Sequence, residues 1–299
     1  MKQFILLILL AVFTCSSCLT SNKPIINENA ELVKLSEQFK FTEGPASDYQ
    51  GNVYFTDQPN NCIFKWSPNG DISLFMENCG RSNGLYFDNN GKLLACADEN
   101  NQIWSIDTET GEVEVLVENF EGLKLNGPND LWADSKGGIY FTDPYYQRDY
   151  WLKPEKEIEQ ERVYYLLPNS EKVIVVDDNI LKPNGIVGTP DGKTLYVADI
   201  GDNKTYRYTI NPDGTLSNRT LFCEMGSDGM TIDNQGNVYL TNNGVFIFNT
   251  DGQQIEHIEI DQSWTSNVTF GGEKQNILFI TAMNSVYSLE MNVKGVRNY

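Results

Sequence analysis

Asn129–Asp143 reads NDLWADSKGGIYFTD, and this stretch decides the fold. Leu131 opens a short apolar run, Asp134-Ser135-Lys136-Gly137-Gly138 is turn chemistry, and Ile139-Tyr140-Phe141-Thr142 is β-branched and aromatic. Two such runs around a Gly-bearing turn predict a tight β-hairpin. The phrase recurs as EGPASDYQGNVYFTD from Glu43, NGLYFDNNGKLLACAD from Asn83 and NGIVGTPDGKTLYVAD from Asn184. DGMTIDNQGNVYLTN follows from Asp228 and NVTFGGEKQNILFITA from Asn267. Every copy opens on an acid or amide, and all but the last end on Asp or Asn. The copies start at 43, 83, 129, 184, 228 and 267. Strand pairs repeated at a spacing of about 40 residues are the signature of a β-propeller, one copy per blade. Six copies predict an all-β, six-bladed β-propeller.

A third apolar run follows each hairpin, at Cys62–Trp66, Gln102–Ile106, Val163–Leu167, Thr205–Ile210, Val245–Phe248 and Ser285–Leu289. A fourth follows in the first five copies: Ile72–Met76, Val113–Val117, Lys172–Val176, Arg219–Glu224 and Gln254–Ile260. The sixth copy lacks one, while an unassigned strand, Glu31–Phe39, precedes the first. An open ring would leave a sheet edge unpaired. The N-terminal strand is therefore expected to complete the last blade and close the ring at four strands per blade. Strand counting then puts Glu43, Asn83, Asn129, Asn184, Asp228 and Asn267 at one mouth of the central channel. Asp57, Asp98, Asp143 and Asp199 end the second strands at the same rim. One loop there is much longer than its sisters: Pro144–Glu161, carrying Tyr145, Tyr146, Tyr150 and Trp151. It is expected either to cover the mouth as a lid or to pack its aromatics locally on the surface.

The front end reads differently. Lys2 and the apolar run Phe4–Phe13, too short to span a bilayer, mark residues 1–17 as an export signal. Ser17-Cys18 resembles a bacterial lipobox, although Cys15 stands where leucine is usual. The expected layout is a leader over 1–17, a polar tether over 18–30 with a lipid on Cys18, and the propeller over 31–299. The expected location is the periplasm or outer membrane as a lipoprotein, with plain secretion the alternative. Net charge is −19, with no basic run, which argues against nucleic acid or an anionic membrane surface as partner. Any membrane association would run through the anchor alone, and a monomer is expected. Beyond the leader, Cys62, Cys79, Cys96 and Cys223 allow three disulfide pairings or free buried thiols.

Polar side chains at one repeat position, converging on an axis, need an explanation, because buried acids and amides without partners are costly. Asx turns at strand starts would account for any single blade. For six in one register, with acids at Glu43 and Asp228 only, a hard cation fits better. Calcium, or another divalent cation of that kind, takes carboxylate and amide oxygens. Zinc has no support, since His257 is the sole histidine and falls in an outer-strand pattern. No G-x-S-x-G elbow or Gly-rich phosphate loop is present. What remains is metal-assisted chemistry on a carbonyl or phosphoryl group.

TEGP at Thr42–Pro45, SNGL at Ser82–Leu85, GPNDL and YFTDPYY within Gly127–Tyr146, KPNGI at Lys182–Ile186, SDGM at Ser227–Met230 and SNVTFGG at Ser266–Gly272 form one set. Through them the chain resembles the gluconolactonase/regucalcin family of six-bladed calcium propellers. The resemblance implies that Glu43, Asn184 and Asp228 hold calcium, with Asn129 as ligand or substrate contact. It makes Asp228 the candidate base and places Asn83 at the substrate end. Tyr145 and Tyr146 are expected to contact a small-molecule lactone from the long loop. The animal regucalcin branch carries an arginine two residues ahead of the blade-three asparagine; here that position is Gly127. Lactone hydrolysis is the implied activity. A phosphotriester-type hydrolase on the same site and a non-enzymatic propeller with structural calcium are the alternatives.

Overall fold

A computed structural model describes residues 24–296. The expected leader and the expected lipid site at Cys18 lie outside the described residues. Within them the chain forms six four-stranded antiparallel sheets, and the sole helical piece is a 3-10 turn at Gln58–Asn60. Blade one runs outward from the axis as Thr42–Ser47, Val53–Asp57, Cys62–Trp66 and Ile72–Glu77. The other innermost strands are Ser82–Phe87, Leu131–Ala133, Pro183–Gly188, Met230–Ile232 and Asn267–Gly271. A second strand such as Val53–Asp57 is buried along its whole length, while the outermost strand Ile72–Glu77 mixes partly buried and exposed residues. Strands covered on both faces read as continuous apolar runs, and half-covered ones alternate.

The hairpin that announces the repeat has the expected register: Leu131 faces Phe141, Trp132 faces Tyr140 and Ala133 faces Ile139. Its turn is held by Asp134, whose carboxylate accepts Lys136 N at 2.8 Å, Gly138 N at 2.9 Å and the Tyr165 hydroxyl at 2.7 Å. Blade four differs from expectation at its outer edge. That strand spans Leu216–Cys223, starting earlier than expected, because Asn218 takes a left-handed φ of 53° and the strand continues through a bulge.

The ring closes through the N-terminal strand, Val33–Ser36, which pairs antiparallel with Ser285–Glu290. Val33 faces Ser288, Lys34 faces Tyr287 and Ser36 faces Val286. The chain then crosses to blade one at Phe39, whose ring meets Phe55 at 5.1 Å and Phe64 at 5.0 Å, edge to face. Phe39, Val53, Phe55 and Trp66 from this side and Phe279 and Val286 from blade six make one core cluster across the joint. Residues 24–30, expected to be part of a tether, instead lie along the last blade. Asn292 N donates to Ile25 O at 2.8 Å, and Ile25, Ile26 and Ala30 pack on the cluster containing Leu289 and Met291. Two consecutive isoleucines gain more by covering that apolar edge than by remaining in water.

The Thr-Asp that ends strand two in blades one and three has two separate jobs, and Asp199 of blade four repeats the second. The threonine binds the neighbouring blade: Thr56 Oγ1 donates to Asn83 O at 3.2 Å, and Thr142 Oγ1 to Asn184 O at 2.8 Å. The aspartate binds its own blade's incoming chain. Asp57 accepts Lys40 N and Phe41 N at 3.2 Å, Asp143 accepts Asn126 N at 3.0 Å and Gly127 N at 2.8 Å, and Asp199 accepts Leu181 N and Lys182 N at 2.9 Å. In this way the strand-two ends of blades one and three each hold both the neighbouring inner strand and their own incoming chain.

Inner strands of adjacent blades approach closely at the axis. Gly44 has a φ of +40°, and a Cβ there would lie 2.1 Å from the carbonyl oxygen of Asn83. Gly44→Ala combines strained backbone with an immovable neighbour. It is expected to destabilise the protein by about 2–4 kcal/mol, read as a lower midpoint in chemical denaturation. An unchanged midpoint would show that the axis has slack.

Candidate active site

Five of the six repeat-opening residues meet at one mouth. Glu43, Asn83, Asn129, Asn184 and Asp228 line a cavity of about 250 Å³, joined by Tyr146 and Arg148 from the long loop and by Trp264. Local backbone irregularity turns them there. Strand one of blades one, two and four carries a register shift just after its polar residue, between Glu43 and Ala46, Ser82 and Leu85, and Pro183 and Ile186. Such a bulge re-aims a side chain out of the ladder. In blades three and five the regular strand starts later, at Leu131 and Met230, so Asn129 and Asp228 precede it. The sixth residue does not join them. Asn267 lines a separate, smaller cavity of about 80 Å³, where its Oδ1 accepts the Val268 amide at 2.8 Å and its side chain lies within hydrogen-bonding reach of Glu43 and Asp130.

The cup is rich in unpaired acceptors. Asn184 Nδ2 donates to the Tyr146 hydroxyl at 3.2 Å, while its Oδ1 is buried with no hydrogen-bond partner. The amides of Asn83 and Asn129 line the same space. Asp228 Oδ2 accepts Trp264 Nε1 at 2.6 Å, and Glu43 Oε2 accepts the Gly44 amide at 3.0 Å, with the Asn267 side chain also in hydrogen-bonding reach of the carboxylate. Burial, and then the charge of Asp228, push Glu43 well above the usual carboxylate range. Burial raises Asp228 to about 6, against its bonds to Trp264 and Asn184 and the charge of Arg148. A third acid was missed in the sequence. Asp130 is buried, and that burial pushes it up to about 8. Its signal was present: it follows Asn129 where four other copies place glycine, at 44, 84, 185 and 229.

This donor set fits a hard cation. Two carboxylates and amide oxygens converge, one of those oxygens is buried and orphaned, and burial disfavours the charged form of both acids. Among the described residues no group of three or more His, Cys, Asp or Glu makes a ready cage, so amide oxygens have to complete the coordination. His257 stands apart on the outer strand of blade five, stacked on Phe246 at 4.0 Å. The four described cysteines are free thiols.

The long loop stays at the rim and is anchored there. Asp98, the sister of Asp57 and Asp143, does not clasp its own blade. It accepts Arg148 Nε at 3.1 Å, Gln58 Nε2 at 3.3 Å and the Tyr150 hydroxyl, while its carbonyl accepts Trp151 Nε1 at 2.7 Å. Glycine at position 127 leaves room for this, since a Cβ there would meet Asp98 Oδ1 at 3.1 Å and the Trp151 ring at 3.2 Å. Tyr146 reaches the cavity as expected. Tyr145 does not line it: its ring packs on Trp151 at 5.8 Å and its hydroxyl donates to Pro154 O, which turns it into the loop. Neighbouring residues of an extended segment point to opposite sides, so only one of the pair can face the cup.

Fold and site together define a six-bladed propeller with an acid-and-amide cup at one end of its axis and an anchored aromatic loop beside it. Residues 41–284 match the SMP-30/Gluconolactonase/LRE-like region, and the chain belongs to that family. It is 29% identical to a gluconolactonase of Zymomonas mobilis, over 91% of this chain and 84% of the relative. A gluconolactonase structure from Xanthomonas campestris superposes with a TM-score of 0.83 at 28% identity, covering 90% of this chain and 94% of that one. Regucalcin from Agrobacterium tumefaciens, described as a calcium-binding protein, shares the fold with a TM-score of 0.75 at 21% identity, over 88% and 94% of the two chains.

The raised acids give the cup a pH signature. The folded-state values of Asp228, about 6, and Asp130, about 8, stand above the unfolded values near 4. Their contribution to stability is therefore complete below about pH 4 and is lost as pH rises through 6 and 8. In chelator, the melting temperature is expected to fall between about pH 5 and 8. Excess calcium should flatten that fall, because it binds only the folded cup. Melts that coincide with and without calcium across this range would remove the metal from the site.

Proposed function

We propose that the protein is a calcium-dependent lactonase, opening a sugar lactone or a related cyclic ester at this cup. The observation that carries the reading is the convergence of Glu43, Asp228 and the orphaned Asn184 Oδ1 at the axis of a gluconolactonase-family propeller. Glu43, Asn184 and Asp228 would hold the ion, with Asn129 beside them. When bound, Ca²⁺ supplies a Lewis acid that polarises the lactone carbonyl and favours the ionised carboxylates.

The protein's own groups supply the rest. Trp264 donates to Asp228 Oδ2 and fixes the orientation of a carboxylate that lines the cavity, where it would serve as ligand and proton acceptor. Water adds to the carbonyl carbon as its proton passes to Asp228. The ring C–O bond then breaks, and the departing oxygen takes up a proton, giving the open hydroxy acid. Burial and the charge of Asp228 push the Tyr146 hydroxyl upward, so it stays protonated and can donate to a substrate oxygen. Asn83 offers a further polar contact from the cavity wall. Phe41 and Ile200 give that wall an apolar edge, the composition usual for small-molecule sites. The lactonase names among the relatives favour cyclic carboxylic esters over phosphotriesters. Export with a lipid on Cys18 remains part of the proposal, tested by loss of acyl labelling in Cys18→Ser.

Asp228→Asn keeps the shape and one carbonyl ligand but removes the basic oxygen. Turnover on D-glucono-1,5-lactone is expected to fall about 100-fold or more, with weaker calcium binding measured by titration calorimetry. Full recovery at saturating calcium would make Asp228 a ligand only. Wild-type hydrolysis unaffected by chelator would overturn the calcium reading.

A further inference from the structure

The rim above the cup differs in charge from the rest of the molecule. The chain carries 22 basic and 41 acidic residues, yet two cationic heads flank the one loop aromatic that reaches the cavity. The guanidinium of Arg148 lies 5.6 Å from the centre of the Tyr146 ring, and Lys182 Nζ lies 4.6 Å from it. Arg148 lines the cavity directly. It is held by one nitrogen only: Nε is bonded to Asp98 at 3.1 Å, and neither terminal nitrogen has a hydrogen-bond partner among the described residues. Lys182 forms no ion pair within 4 Å of a carboxylate among the described residues, its head lies over Tyr146, and its backbone N–H donates to Asp199 at 2.9 Å. Asp98 thus holds Arg148 by its Nε and Asp199 holds Lys182 by its backbone, while the Arg148 terminal nitrogens and Lys182 Nζ stay free.

Holding an arginine by Nε through a buried acid is a costly arrangement unless the free end is used. Guanidinium bound on one side presents its other N–H groups as a preset fork, matched to carboxylate or phosphate oxygens. A lysine at the same ring adds a second point charge. Neutral hydroxyls would be served as well by the amides already lining the cup, without confining two cations over an aromatic face.

We infer that the lactone taken by this site carries an anionic group, a carboxylate or a phosphate ester, gripped by Arg148 and Lys182 around Tyr146 while the ring carbonyl sits in the cup below. This rests on the lactonase reading and adds the substrate's charge class to it. Both residues are specificity determinants, removed from the reacting atoms.

The test compares three lactones on the calcium-loaded protein: neutral D-glucono-1,5-lactone, the carboxylate-bearing D-glucaro-1,4-lactone and 6-phospho-D-glucono-1,5-lactone. At least one anionic lactone is expected to exceed the neutral one in kcat/KM by about tenfold or more, the scale of one charge-assisted hydrogen bond. Which of the two leads identifies the anion. The advantage should reside in KM, shrink with added salt, and fall about tenfold or more in Arg148→Ala and Lys182→Ala, with Arg148→Lys retaining part of it. If Arg148 merely balanced the charge of Asp228, its removal would lower turnover on all three lactones equally and leave their ratio unchanged. That outcome, or the absence of any preference for an anionic lactone, overturns the inference. Failure to open any of the three would overturn the lactonase reading itself. The shift in melting temperature on binding each lactone then judges the charge preference separately, and equal shifts overturn it.

Discussion

The backbone pairing of Val33–Ser36 with Ser285–Glu290 is the contact on which the remaining structure depends. A propeller is a circle of sheets, each of which buries its faces only against two neighbours. If the circle opened, blades six and one would each expose an apolar face, and the cluster around Phe39, Phe55, Phe279 and Val286 would be cut through its middle. The cup lies on the axis, so it exists only while the circle is closed. Glu43 comes from the blade just after the joint, Asp228 from blade five and Asn184 from blade four. Their convergence belongs to the ring and to no single blade.

Closure also creates the electrostatic problem that the site answers. Inner strands must meet near the axis, and the residues that open them carry acids and amides whose hydration is stripped away. The strand-two threonines and aspartates satisfy the backbone there, which removes protein donors from the competition for Glu43, Asp228 and the amide oxygens. What is left is a cluster in which acceptor oxygens outnumber the donors that reach them, Asn184 Oδ1 being buried with none. A divalent cation is the natural complement of such a cluster, because it satisfies several oxygens at once and restores the ionised state of the acids.

Asp98 shows how a repeated position is diverted to a new use. Its sisters hold their own incoming chain through backbone amides, whereas Asp98 holds Arg148, Tyr150 and, through Gln58, the turn of blade one. The loop is thereby fixed as a wall. Anchoring it removes conformational entropy before a ligand arrives, so contacts from Tyr146 and Arg148 cost less ordering on binding.

The sequence by itself determined the blade number, the four-strand blades, the closing strand and the mouth to which the repeat-opening residues go, because each rests on local period and strand counting. It also marked Glu43, Asn83, Asn129, Asn184 and Asp228, which occupy one register position and so share one geometry. Only the tertiary structure decided the exceptions. Asn267 shares that register yet lines a separate cavity, and Asp130, one residue off it, is buried beside Asn267. Tyr145 and Tyr146 are adjacent in sequence but only one faces the cavity, and Ile25 and Ile26 leave the expected tether to cover the last blade. Arg148 and Trp264 come from irregular segments with no period to place them. A repeat fixes positions relative to its own blade. Loop paths, axial depth and charge balance depend on contacts among different blades, and those are set by long-range packing that no local pattern encodes.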